Sequence, residues 1–416
     1  MSAPAATASL WSDRRIAGLR PGGAPAAAPA LPAEAAVVVV GSGLAGSSTA
    51  LALARLGVDV LLLEAAADSS PAEAGAGMLV PAPEGWVHAL LQGDEERAAR
   101  VLAVVGESIR ALAAEPSASA APALHVATSD REHEFGPMLA ATLRQEGWPA
   151  EILDRSGLRR YVDSPPSALV RGGLLLPSAV AVDPAALLAR LQLLARAQGA
   201  RIAYSARVES LRVGEENVML TTTAGTVLAR QCVIAAGARS AALLPDAMLP
   251  VTVASAQMLA TVPARPVLGA LVTSSLGENG EYLRQLASGE ILIGGCRRPE
   301  DTLSADETAS VTAPTQEAIE QVLPRLFPDI QLPPVRSRWA GAMSWLPDGL
   351  PVVDRVRPGL WLSAAHSDGL AFAPALARSL AEAVAAEDPA LLTPDFRLDR
   401  FAAVAPAVPS AEEILR

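Results

Sequence analysis

The chain has 416 residues, 51% of them hydrophobic, enough for two or three domains of the usual ~100–200 residues each. Its net charge is −11, which argues against nucleic acid as a partner, because binders of nucleic acid need a basic footprint. All 33 basic residues are arginine, so Schiff-base chemistry, pyridoxal phosphate included, and a Walker A phosphate loop are excluded with their lysine. Apolar runs stay short of the ~18 residues that span a bilayer, so no membrane span is expected. Cys232 and Cys296 lie far apart and fit no metal spacing; they read as reduced core residues of a cytoplasmic protein without a metal site.

Residues 1–34 are rich in Ala and Pro and are expected to form a flexible arm. The pair Arg14–Arg15 stands before a stretch broken by Pro and Gly, a poor match to an export signal. Four valines, Val37 to Val40, then lead into Gly41, Ser42, Gly43, Leu44, Ala45 and Gly46, and a helical pattern follows until Gly57. Val58–Leu63 reads as a second buried strand ending in Glu64 and Ala65. A strand, a glycine turn opening a helix, and an acid 18 residues after Gly46 together define a dinucleotide site. Gly41 permits the tight turn, Gly43 lets the backbone approach a pyrophosphate, and Gly46 lets helix and strand pack closely. The helix N-terminus offers unpaired N–H groups to the phosphates, and Glu64 is placed to accept from ribose hydroxyls.

Further along, residues 93–115 read as an amphipathic helix. The run "GGLLLPSAVAVDP" is a strand followed by a helix with Asp183 as N-cap and Pro184 at its first position, stopping at Gly199. Three strand patterns follow, the last being "CVIAAGARS" with small residues Ala236 and Gly237 at its end. Strand-rich sequence occupies 251–297, a helix follows near 313–328, and 359–388 returns to strand, loop and helix. A nicotinamide dehydrogenase continues with further strand–helix units after its acid. Here strand-rich material interrupts the nucleotide domain, which points to FAD. The expected architecture is α/β, with a Rossmann-like FAD-binding domain (35–82, 159–245, 339–390) interrupted by an antiparallel-sheet substrate domain (83–158, 246–338), and a tail over 391–416.

Those segments, with "AGAGMLVPAPEG", "YLRQLASGEILIGG", "WAGAMSWLPDGLPVVD" and "GLWLSAAHSDGLAFAP", occur in an order that resembles the D-amino-acid oxidase and glycine oxidase family, which includes sarcosine oxidases. The resemblance covers residue 36 to about 386. It implies that Gly75, Ala76, Gly77, Met78 and Leu79 pass the flavin ring and that Val208 meets the adenine through its main chain. It implies further that His366, Ser367, Asp368, Gly369 and Leu370 face the flavin N1–C2=O edge, where a positive helix end stabilises the reduced flavin. The implied reaction is hydride transfer from the α-carbon of an amine to flavin N5, giving an imine that water hydrolyses.

Three departures limit the substrate expectation. Met343, Ser344 and Trp345 stand where relatives place an arginine that clamps the substrate carboxylate. No lysine occupies the final loop, and Gly341 stands near the position of a flavin-linking cysteine, so FAD is expected to be noncovalent. Arg284 is the expected carboxylate partner, Tyr282 the pocket wall, and His366 with Asp368 the polar groups nearest the flavin. The expected partners are a small amine or amino acid and oxygen or another electron acceptor; an oligomer is compatible with the sequence. The alternatives are a flavin monooxygenase or the flavin-holding subunit of a heteromeric amine dehydrogenase.

Overall fold

The computed structural model describes residues 6–13, 31–66, 75–276, 280–304 and 307–401. The valine-rich strand Glu34–Val40 lies between Val60–Leu63 and Gly225–Ile234 and pairs with both in parallel. A strand enclosed in this way needs apolar residues on both faces, which its run of valines supplies. The sheet continues past Val60–Leu63 to Arg201–Ala203, and past Gly225–Ile234 to Leu360–Ala364 and the antiparallel edge Val352–Arg357. The hairpin Val208–Val213 and Val218–Thr222 extends from Gly225–Ile234. Strands far apart in the chain thus complete one dinucleotide-type sheet, in agreement with the interrupted α/β organisation read from the sequence.

The second sheet has nine strands, mostly antiparallel. From the edge inward they run Val335–Trp345, Thr252–Thr261, Ile291–Gly295, Glu281–Gln285, Leu271–Ser274, Ala118–Ala127, Gly172–Val182 and Met78–Leu79, and Glu151–Leu153 also pairs with Gly172–Val182. Three of these strands fall in segments that the sequence reading places in the FAD-binding domain, Met78–Leu79 lying within 35–82. Gly172–Val182 lies within 159–245, and Val335–Trp345 straddles the boundary at 339. An apolar run buried on both faces looks the same in either sheet; only its distant pairing partner decides which it joins. Helix Glu95–Ala113, placed with the substrate domain, packs against helix Gly369–Ala386 of the dinucleotide sheet in one shared core.

The helices begin where local chemistry predicts. Asp183 Oδ1 accepts from Ala186 N at 3.0 Å with Pro184 first in helix Pro184–Ala197, and the Asp94 side chain caps Glu95–Ala113 in the same way. Helix Gly369–Ala386 is long and apolar enough to cross a membrane, but 56% of its span is buried inside the molecule against helix Leu44–Arg55 and its neighbours.

The arm expected to be flexible is docked where it is described. Thr7 N donates to Arg338 O at 2.8 Å along the edge of the second sheet, and Leu10 and Trp11 are fully buried. Ala33 O accepts from Leu228 N at 2.8 Å. Apolar residues spaced among alanines and prolines were enough to anchor these two ends. Arg14 and Arg15 lie outside the described residues. In the tail, Leu392 and Phe396 are buried, and residues 402–416 lie outside the described residues.

Candidate active site

At the first turn of the dinucleotide sheet, Gly41 has φ 99°, and a Cβ there would collide with the carbonyl of Ala235. A Cβ on Gly46 would collide with the carbonyl of Gly41. Turn, helix start and the end of strand Gly225–Ile234 are therefore in backbone contact, and this is why small residues occupy 235–237. Glu64 is buried at the end of the second strand. Its Oε2 accepts from Ser42 N at 2.9 Å and Ser42 Oγ at 2.7 Å, and its Oε1 accepts from Ala66 N at 2.9 Å. A carboxylate has about four lone-pair positions, so it holds the glycine turn in place and keeps capacity for a further donor such as a ribose hydroxyl. Ala206 N donates to Glu64 O at 2.8 Å and Ser205 N to Ala66 O at 3.1 Å, which brings the segment leading to Val208 beside Glu64 and Ala65. Helix Leu44–Arg55 starts at Gly43 with no side-chain cap, so its first-turn N–H groups face the turn.

A second loop meets this one. Strand Leu360–Ala364 ends at Ala365, which takes the left-handed φ of 58°, unusual for a residue with a side chain. That kink redirects His366 inward, and its Nε2 shares a 2.9 Å hydrogen bond with Ser363 Oγ. His366 Nδ1 is buried with no hydrogen-bond partner among the described residues. Burial pushes the His366 pKa down to about 4, so the ring is neutral at physiological pH. Ser367 N donates to Ala365 O at 3.1 Å, closing the bend. Asp368 precedes helix Gly369–Ala386, and its Oδ2 accepts from Glu84 N at 3.4 Å. Burial raises its pKa, while the Glu84 amide and the positive charge of Arg297 act in the opposite direction. A Cβ on Gly369 would sit 3.7 Å from Leu44 Cδ2, so the N-termini of two helices approach each other here, with Leu370 in the first turn of one. Buried polar atoms are ordinarily paired. An orphaned imidazole nitrogen beside two helix N-termini, a cradle of glycines that no Cβ can enter, and a buried acid at the ribose position fit FAD.

The second sheet supplies the other wall. Residues Gly75–Gly77 lead into the short strand Met78–Leu79, which pairs with Val180 and Ala181. Arg284 departs from its expected role as carboxylate partner. Its Nη1 lies 3.0 Å from Ala76 O, 2.6 Å from Gly77 O and 2.9 Å from Val182 O, so the guanidinium is directed at main-chain carbonyls. A charge buried to this depth needs such partners, and the carbonyls of a side-chain-poor loop provide them. Tyr282 stands opposite Gly294, and its ring fills the space that a side chain there would take. Burial raises its phenol pKa, with the charge of Arg297 opposing and Cys296 adding to the rise. Gly341 pairs with Ala256 in the second sheet, on the strand that carries Met343 and Trp345.

Arg297 is the residue that sequence reasoning missed. Cys296, with φ 53°, turns the chain after strand Ile291–Gly295. Arg297 then lies over the Trp345 ring, 4.9 Å from its centroid, with Nη1 3.8 Å from Met343 Sδ. Its charge also acts on Tyr282 and Asp368. The signal was present as "GGCRR", but nothing local ties those arginines to residues 343–345. That link exists only through strand Thr252–Thr261, which pairs with both neighbours.

A sheet of this type with this cradle defines a dinucleotide-binding fold. Residues 36–383 match the family model described as FAD dependent oxidoreductase, and the chain belongs to that family. It is 29% identical over 359 residues to the tRNA 5-methylaminomethyl-2-thiouridine biosynthesis bifunctional protein MnmC of Maricaulis maris, covering 85% of this chain and 53% of that protein. It is 30% identical over 268 residues to the D-amino acid dehydrogenase of Cereibacter sphaeroides, covering 63% of this chain and 60% of that one. The matches thus span between about half and three-fifths of these curated relatives. In fold it is similar to the glycine oxidase of Geobacillus kaustophilus, with a TM-score of 0.74 at 22% identity, over 89% of this chain and 99% of that one.

Proposed function

We propose that this chain oxidises the C–N bond of an amino acid or a secondary amine, using noncovalently bound FAD. The observation that carries the reading is the convergence at the junction of the two sheets. His366, neutral, and Asp368 follow a strand of one sheet, and Tyr282, Trp345 and Arg297 lie on or just after strands of the other, with the Arg297 charge acting on both Asp368 and Tyr282. FAD, when bound, supplies the acceptor for the hydride that leaves the substrate carbon.

The residues then have separate tasks. Glu64, with the turn Gly41–Gly46, holds the ADP half. His366 Nδ1 and the N-terminus of helix Gly369–Ala386 would face the polar edge of the flavin when FAD is bound. Arg297, backed by Trp345, takes the substrate carboxylate in place of the clamp that Met343 does not provide. Tyr282 and Trp345 exclude water and orient the amine. No strong base is needed once a neutral amine is held correctly, and the low pKa of His366 keeps a proton off the ring at that point. Relatives that include a D-amino acid dehydrogenase support an acceptor other than oxygen.

The test is an anaerobic titration of the purified flavoprotein with amines, glycine derivatives and D- and L-amino acids, following the flavin absorbance band. Bleaching by one class identifies the substrate family, and the recovery rate in air separates oxidase from dehydrogenase. A flavin that dithionite reduces but no amine or amino acid reduces would overturn the reading.

A further inference from the structure

Trp11 comes from the segment preceding the dinucleotide fold, yet it is buried against the second sheet with Leu10, Ala185, Met258 and Trp339. Its indole Nε1 donates to Gly75 O at 2.9 Å. The Arg284 guanidinium lies over the indole ring, 5.5 Å from the centroid. The same guanidinium holds the carbonyls of the next two residues, Ala76 and Gly77, and of Val182 across the sheet. Val182 N in turn donates to Gly77 O at 2.8 Å. Upstream, Thr7 N donates to Arg338 O at 2.8 Å and Arg338 N to Thr7 Oγ1 at 2.9 Å, so the segment is anchored along the sheet edge before it reaches the loop.

The loop has little means of holding itself. Gly75, Ala76 and Gly77 carry almost no side chain, and Gly77 has φ 68°, with a Cβ there excluded by the Val182 carbonyl and 2.8 Å from Arg284 Nη1. A backbone of this composition loses much entropy when ordered. Three successive carbonyls are nevertheless each met by a donor, one from Trp11 and two from Arg284.

We propose that Trp11 and Arg284 form a clasp that positions the main chain of Gly75–Gly77 for the cofactor, so that the N-terminal segment is part of the flavin site. Arg284 is then a positioning residue and Trp11 its support. The proposal rests on the reading that Gly75–Leu79 flanks the flavin. It assigns a task to sequence lying outside the dinucleotide fold, and it accounts for a fully buried Trp in an alanine-rich arm.

The test uses the full chain with FAD. Trp11→Phe keeps the ring but removes the N–H donor; Arg284→Lys keeps the charge but loses the fork. For each, FAD affinity is measured by flavin fluorescence, the bound flavin by visible circular dichroism, amide exchange by mass spectrometry over 75–79, and apoprotein unfolding by heat. Trp11→Phe is expected to bind FAD roughly two- to tenfold more weakly, the range for one lost hydrogen bond, and Arg284→Lys at least as weakly, because its guanidinium meets three carbonyls. They should also exchange faster at 75–79 and alter the flavin dichroism, beyond any lowering of the apoprotein midpoint that the loss of buried contacts brings. Wild-type FAD affinity and dichroism in both variants, with a lowered unfolding midpoint, would overturn the clasp and leave Trp11 as packing. These readouts do not depend on turnover, so a flavin that no amine reduces would count against the amine chemistry and not against the clasp.

Discussion

Two arginines of the second sheet, close in sequence, end in different surroundings. Arg284 is 7% exposed and directed at backbone carbonyls, whereas Arg297 lies on an aromatic face just after its strand. Arg297→Met is therefore expected to raise KM for carboxylate-bearing substrates about ten- to hundredfold, the range for losing a charged hydrogen bond. Uncharged amines should be unaffected, and steady-state kinetics on a matched acid and amide pair measures the difference. His366 gives a pH signature. Its folded pKa of about 4 lies below the ordinary histidine value of 6.5, so the unfolded chain binds more protons between those values. Stability should thus fall as pH drops through that window, with His88, also lowered by burial, acting in the same direction. His366→Asn should flatten part of that slope in thermal unfolding followed from pH 7 to pH 4.

The glycine turn and the helix it opens act as one element. Gly46 faces the Gly41 carbonyl so closely that even a methyl group must move the helix, the turn or both. Gly46→Ala is expected to destabilise the apoprotein by ~1–3 kcal/mol and to abolish tight FAD binding. Differential scanning fluorimetry and flavin fluorescence read the two effects separately. The opposite loop has its own device: left-handed Ala365 turns the chain so that His366 folds back on Ser363 while the next helix starts at Gly369. The two helix N-termini meet because both strands that feed them end at the same level of the dinucleotide sheet, through their common neighbour Gly225–Ile234.

At the scale of the molecule, the two sheets are tied by charges as well as by a shared core. Asp348, in the turn after the second-sheet strand Val335–Trp345, accepts from Arg97 Nη2 at 2.6 Å and Arg400 Nε at 2.9 Å. Burial alone would raise its pKa, but the two guanidinium groups outweigh that and leave it below the ordinary carboxylate range. Arg97 belongs to helix Glu95–Ala113 and Arg400 to the last described turn, so one carboxylate joins three distant parts of the chain. Asp348→Ala leaves two cations facing an apolar gap and is expected to cost ~3–5 kcal/mol in urea unfolding. The wild-type contribution should itself fade in acid, as pH falls below the usual carboxylate range towards the depressed folded value.

Much of this protein was legible in one dimension. A dinucleotide site and the α/β class follow from glycines whose backbone must approach other backbone, from an acid at a fixed distance, and from helix caps such as Asp183, all of them local requirements that a short stretch of sequence must state; that the dinucleotide is FAD followed from the order of segments along the chain. The sheet to which Gly172–Val182 belongs, the burial of Trp11, the contact of Arg284 with main-chain carbonyls and the stacking of Arg297 on Trp345 were not legible. Each depends on partners a hundred or more residues away, or on a strand lying between them, and a long arginine side chain reads alike whether it ends on a carbonyl, a tryptophan face or a substrate. Sequence by itself determined the cofactor and the α/β class; tertiary structure decided which sheet each distant strand joins and which side chains come together where the sheets meet, because that depends on pairing and burial across the whole chain.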